Sequence, residues 1–157
     1  GAAVSSAKTG TVSRISPHRD LGSLTLLQQD SQGGLEVQDP ASGSWVPVPP
    51  MNGALVVNIG NLLTRWTAGY FRSSIHRVVA STGASSTHSS EDRYSAIMFL
   101  NPDDDFDLQP LECCTKFLPE GEPTPEGVHV GRYMACKLTQ LFDPKARENK
   151  GQCRFDD

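Results

Sequence analysis

Between residues 24 and 111 the chain breaks into short apolar runs, each closed by turn-forming residues. Residues 24–30 are followed by Gln32-Gly33-Gly34, and residues 35–38 by the stretch from Pro40 to Ser44. Residues 45–48 stop at Pro49-Pro50, and residues 54–59 at Gly60. Residues 76–80 lead into a Ser/Thr/Gly-rich loop, and residues 94–100 end at Asn101-Pro102. Runs of this length, rich in Val, Ile, Leu and aromatic residues, are strands. No strong helical period intervenes, which argues against a parallel βαβ plan and for an antiparallel sandwich or jelly roll. Only residues 133–142 read as a short amphipathic helix. The polar stretch 83–92 is a loop, 119–125 a Pro/Glu linker and 145–157 a solvated tail.

A chain of 157 residues is long enough for one modest core. With 37% apolar and 20% charged residues it reads as globular. A net charge of -4 is no footprint for nucleic acid. No apolar run approaches the ~20 residues of a membrane span. Residues 1–16 lack the charged and apolar regions of a secretory signal, so the expected location is cytoplasmic. Cys113, Cys114, Cys136 and Cys153 all fall in the last third and are expected to be reduced thiols without an assigned role. The expected division is an extension or remnant over 1–16, a core over 17–111, and a linker, short helix and tail over 112–157. Residues 54–59 and 94–100 are apolar at both parities, so both faces of those strands call for cover. The chain offers one plausible helix to provide it.

His18-Arg19-Asp20 places an imidazole and a carboxylate two residues apart. On an extended chain positions i and i+2 share a face, so both side chains can reach one ion, with His76 arriving from a distant strand. Two imidazoles and one carboxylate on one side of an ion leave adjacent positions open, the arrangement of non-haem Fe(II) oxygenases. On residue types alone, an exposed His18 near a turn and a surface His76 fit as well. Arg93 and Ser95 are again i and i+2, and a guanidinium beside a hydroxyl suits a two-point grip on a carboxylate. The alternative for Arg93 is a surface ion pair of little consequence.

The segments PHRDLGSLTLLQQDSQGGLEV, WVPVPPMNGALVVNIGNLLTRWTAGYFRSSIHRVV and RYSAIMFLNPD resemble the Fe(II)- and 2-oxoglutarate-dependent dioxygenases, in their isopenicillin N synthase-like branch. The resemblance covers about residues 17–111 in order. It implies a double-stranded β-helix, a jelly roll with the metal at its mouth. It implies His18, Asp20 and His76 as iron ligands, and Arg93 and Ser95 as the partners of the distal carboxylate of 2-oxoglutarate. Phe99, on the same strand parity as Ser95, either lines the substrate side or belongs to the core. The implied activity is oxidation of a small organic substrate by dioxygen, through hydroxylation, desaturation or ring closure, with release of succinate and CO2. No nucleic-acid, membrane or protein partner is expected.

The sequence departs from the family in three ways. Only residues 1–16 precede Pro17, without the Asn-x-Tyr-like strand motif that relatives carry upstream. The stretch between His76 and Arg93 is longer than usual, and Arg19 stands where the family commonly has Thr. Two other readings follow: an iron oxidase of isopenicillin N synthase type that does not use 2-oxoglutarate, and a truncated, inactive fragment or interaction module.

Overall fold

The computed structural model describes residues 13–80 and 92–143. After a first strand, Ser13–His18 (β1), the apolar runs become strands: Leu24–Gln29 (β2), Leu35–Gln38 (β3), Trp45–Pro47 (β4), Val56–Ile59 (β5), His76–Val79 (β6) and Ser95–Leu100 (β7). Two short strands, Asp107–Leu108 (β8) and Val128–His129 (β9), follow. Three helices interleave: Asn61–Trp66 (α1), Glu112–Thr115 (α2) and Val130–Phe142 (α3).

A four-stranded sheet in the order β1-β6-β3-β4 faces a three-stranded sheet in the order β5-β2-β7, and β8 pairs with β9. Every pairing is antiparallel. This is the expected jelly roll with a short C-terminal helix. The turn from β2 into β3 passes through Gly33 and Gly34 at φ +71° and +85°, a backbone that residues with a Cβ rarely adopt. Gly34 is doubly required, because a Cβ there would fall on the Val79 carbonyl of β6.

The tightest packing lies outside the two sheets. Leu62 of α1, Leu108 of β8, Val128 of β9, and Val130 and Tyr133 of α3 form one buried cluster, with Trp66 and Met134 against it. This core joins residues on both sides of position 111. By contrast, both faces of β7 carry exposed apolar side chains, with Ile97 and Phe99 on one side and Met98 on the other. The doubly apolar strands thus keep the uncovered faces their sequence suggested.

Five elements were not legible, two of them the two-residue strands β8 and β9, too short to show an alternation. Six-residue α1 and four-residue α2 are too short to display a helical period. β1 hides because Pro17 and Arg14 interrupt its apolar alternation. The helix expected at 133–142 begins three residues earlier, at Val130. Residues 1–12, 81–91 and 144–157 lie outside the described residues, taking with them most of the 1–16 extension, nearly all of the 83–92 loop and the 145–157 tail. Among the described residues no helix is long and apolar enough to cross a membrane.

The expectation of reduced thiols needs correction. Cys113 and Cys114 are free, but Cys136 on α3 is disulfide-bonded. Clustering of the four cysteines in the last third excludes a scaffold of bridges spread through the fold, but not a local bridge.

Candidate metal centre

β1 and β6 run side by side, with His18 directly opposite His76. The register slips twice along β1, between Ser13 and Ile15 and again between Ile15 and His18. Bulges of this kind re-aim side chains at sheet edges. Here the outcome is two imidazole rings with centroids 4.3 Å apart. Asp20 follows two residues later, and its Oδ1 lies 3.6 Å from Nε2 of both His18 and His76. One donor atom from each of the three residues falls within 4.8 Å of the others.

Hydrogen bonds fix which atoms are offered. His18 Nδ1 lies 2.8 Å from the Ser16 carbonyl, and His76 Nδ1 3.2 Å from the Ser74 carbonyl. A ring N–H donated to a carbonyl leaves the Nε2 lone pair for an ion. Asp20 is divided in the same way. Its Oδ2 accepts from the Thr25 hydroxyl at 2.6 Å and from the Asn58 amide at 2.7 Å, leaving Oδ1 toward the histidines. Thr25 and Asn58 sit opposite each other on β2 and β5, so one rung of the second sheet grips the carboxylate of the first.

The electrostatics follow from this geometry. Burial pushes the Asp20 carboxyl up, but bonds from His18, Asn58 and Thr25 and the charge of His76 outweigh it. Asp20 is thus held well below the ordinary carboxylate range and stays anionic. The bond to Asp20 raises the His18 pKa above 6.5, with burial pulling it back and the Ser16 carbonyl adding to the rise.

The chain beyond Asp20 is clamped by α1. Asn61 and Leu62 donate their backbone N–H groups to the carbonyls of Asp20, Leu21 and Gly22. The approach is so close that a Cβ at Gly60 would fall on the Gly22 carbonyl.

A cavity of about 350 Å³ between the sheets is lined by His18, Asp20 and His76 and also by Arg93, Ser95 and Phe99. All six expected site residues therefore share one space. Arg93 donates Nε–H to the Gly33 carbonyl at 2.7 Å, Nη1–H to the Ser95 hydroxyl at 3.3 Å and Nη2–H to Gln29 Oε1 at 3.2 Å. A guanidinium has five N–H donors, so these bonds leave one on each terminal nitrogen. That remaining pair matches the two oxygens of a carboxylate. Phe99 is 56% exposed and lines the cavity, so it is not a buried core side chain.

Residues 6–102 match the family model described as the 2OG-Fe(II) oxygenase superfamily. The chain belongs to this superfamily. A 2-oxoglutarate-dependent dioxygenase of Monascus ruber is 44% identical over 97 residues, which is 62% of this chain and 27% of that relative. A solved structure, that of a full-length Neurospora crassa protein in complex with alpha-KG and thymine, aligns with TM-score 0.70 at 34% identity. It covers 83% of this chain and 38% of the other. The dioxygenase for auxin oxidation in rice aligns with TM-score 0.68 at 31% identity, covering 87% and 45%. The chain thus spans less than half the length of each of these relatives.

The cofactors of the superfamily are Fe(II) and 2-oxoglutarate. The donor set fits the metal: two imidazole nitrogens and one carboxylate oxygen suit Fe(II), and Asp20 needs no proton removed at neutral pH. The two remaining N–H donors of Arg93 fit an acid group in the same cavity.

Sequence reasoning missed Thr25, Asn58 and Gln29. Thr25 and Asn58 had a readable signal, since each is a polar residue inside an apolar strand, in L-T-L-L and V-V-N-I. A buried polar group in such a run must have a partner. Gln29 sits at the end of its strand and gave no such sign.

Proposed function

We propose that this chain is the catalytic part of an Fe(II)- and 2-oxoglutarate-dependent oxygenase of the isopenicillin N synthase-like branch, oxidising a small organic molecule. In this reading residues 17–111 form the core that carries the site. His18, Asp20 and His76 hold the iron, Arg93 and Ser95 take the distal carboxylate of 2-oxoglutarate, and Phe99 borders the substrate. The observation that carries the reading is the single cavity shared by the triad and by the spare N–H pair of Arg93. When both are bound, iron and 2-oxoglutarate supply the oxidising chemistry, in which dioxygen is consumed and succinate and CO2 are released.

The protein's own contribution is positioning. Thr25 and Asn58 fix Asp20 so that one oxygen faces the ion. Gln29, Gly33 and Ser95 hold the guanidinium flat, so its free edge addresses a carboxylate without losing rotamer freedom at binding. Leu27, Val37, Val56, Val78 and Ile97 give the cavity an apolar lining. The size, about 350 Å³, suits one small organic molecule beside the co-substrate.

Anaerobic calorimetry tests the assignment. The Mn(II)-loaded full chain is expected to bind 2-oxoglutarate, and Arg93→Gln to lose that binding while keeping Mn(II). Mn(II) binding without any 2-oxoglutarate binding would instead favour an iron oxidase that does not use this co-substrate. No Mn(II) binding at the triad would overturn both.

A further inference from the structure

A second concavity, a cleft of about 770 Å³, lies against α1 and the segment that follows it. Its chemistry is unlike that of the metal cavity. Arg19 and Arg72 contribute to its wall beside one carboxylate, Glu122, so cations outnumber anions there even without Arg65, whose guanidinium lies over the Tyr133 ring. Arg19 and Arg72 make no ion pair among the described residues. Ser73 lines the same cleft, is only 4% exposed, and its hydroxyl has no hydrogen-bond partner. A buried hydroxyl left unpaired is costly, and a ligand that bonds to it removes that cost. At the rim, the rings of Tyr70 and Phe117 lie 4.7 Å apart and are 52% and 57% exposed. Tyr70 also meets Phe71 edge-on and Lys116 lies over Phe117, and the aromatic surface that stays exposed beside these cations suits a flat ring bearing an acid.

Arg72 connects this cleft to the chemistry. It lines both the cleft and the cavity that holds the triad, so the two spaces share it as a common wall. We infer that the substrate is an aromatic acid whose ring lies against Tyr70 and Phe117 and whose acid group is met by Arg72 and the Ser73 hydroxyl, with Arg19 adding charge. The group to be oxidised then sits on the acid side of the ring, where Arg72 borders the metal cavity. This inference rests on the oxygenase reading for the word substrate, while the acid-binding cleft stands apart from it.

The test uses 4-methylbenzoate and its neutral counterpart 4-methylbenzamide as probes. Each is titrated by ligand-observed NMR into the full chain loaded with Mn(II) and saturated with 2-oxoglutarate. The acid is expected to bind roughly tenfold or more tightly than the amide, the scale of one charge-assisted hydrogen bond. Arg72→Gln is expected to erase the preference and Arg72→Lys to keep most of it, with 2-oxoglutarate affinity unchanged in both. Tyr70→Ala is expected to weaken both probes alike and leave the preference intact. Equal binding of acid and amide, or an undiminished preference in Arg72→Gln, would overturn the inference. So would a loss of 2-oxoglutarate affinity in Arg72→Gln, which would make Arg72 a co-substrate residue. An Arg72-dependent preference in a chain that never binds 2-oxoglutarate would keep the cleft and sink the oxygenase reading.

Discussion

At the scale of single residues, the triad works through the atoms its members do not offer to an ion. His18 and His76 each engage Nδ1 with a carbonyl two residues upstream, and Asp20 engages Oδ2 with Thr25 and Asn58. Asn58→Ala removes one of the two donors to Oδ2 without touching a donor atom for the ion. Its expected effect is a loss of Mn(II) affinity of about tenfold, within the usual range for such supporting partners. Isothermal titration of the variant against the parent chain measures it. The protonation states give a second expectation. The His18 pKa is raised, so in the metal-free chain its contribution to stability is full below pH 6.5 and fades as pH rises through the folded value. The Asp20 pKa is lowered, so its contribution is present above pH 3.8 and fades as pH falls toward the folded value. The metal-free melting temperature should therefore be highest between those limits. Mn(II) competes with the His18 proton, so the rise in Tm that it causes should grow as pH passes upward through the His18 value. Thermal melts with and without Mn(II) across about pH 2 to 8 follow this directly. A metal-induced shift that stays flat across the range would remove His18 from the ligand set.

At the scale of elements, α1 is the part that sequence reading failed to see and that the site depends on. Its first N–H groups hold the carbonyls of residues 20–22, and Gly60 permits the approach. Gly60→Ala should cost about 1–3 kcal/mol, because backbone rather than a yielding side chain stands where the Cβ would go. Urea unfolding gives that number, and Mn(II) affinity should fall alongside it, since the segment that moves carries Asp20. Strands β2 to β7 were legible because their apolar runs and turn residues agree, as in the Gly33-Gly34 turn between β2 and β3. α1 was not, because six residues ending near Gly69 offer barely more than one and a half turns of pattern. The same contrast holds within the site. The i, i+2 spacings of His18 with Asp20 and of Arg93 with Ser95 were visible in advance, although β1 ends at His18 and β7 begins at Ser95, so Asp20 and Arg93 sit just beyond the strands. The bond from Gln29 to Arg93 joins positions 64 residues apart and depends on the register of β2 with β7. No local pattern in the sequence encodes that register.

For the molecule as a whole, the division of labour is uneven. The cluster around Leu62, Leu108 and Tyr133 supplies the dry core, while the space between the sheets is left open for chemistry. Tyr133 is fully buried, so Tyr133→Ala should destabilise the chain by about 3–5 kcal/mol, read by denaturant unfolding. A ligand held between the sheets should act in the opposite direction. Mn(II) together with 2-oxoglutarate, each at about a hundred times its Kd, should add up to about 2.7 kcal/mol per independent site. The gain should fall to the metal's share alone in Arg93→Gln. One asymmetry of the triad has its own consequence. The Asp20 and His76 side chains are 7% and 16% exposed, but that of His18, on an edge strand, is 41% exposed. An ion held there is shielded on two sides and reachable on the third, so its residence is set by how readily β1 swings outward. A chelator should remove Mn(II) more slowly from a variant in which β1 is pinned to β6 than from the parent chain.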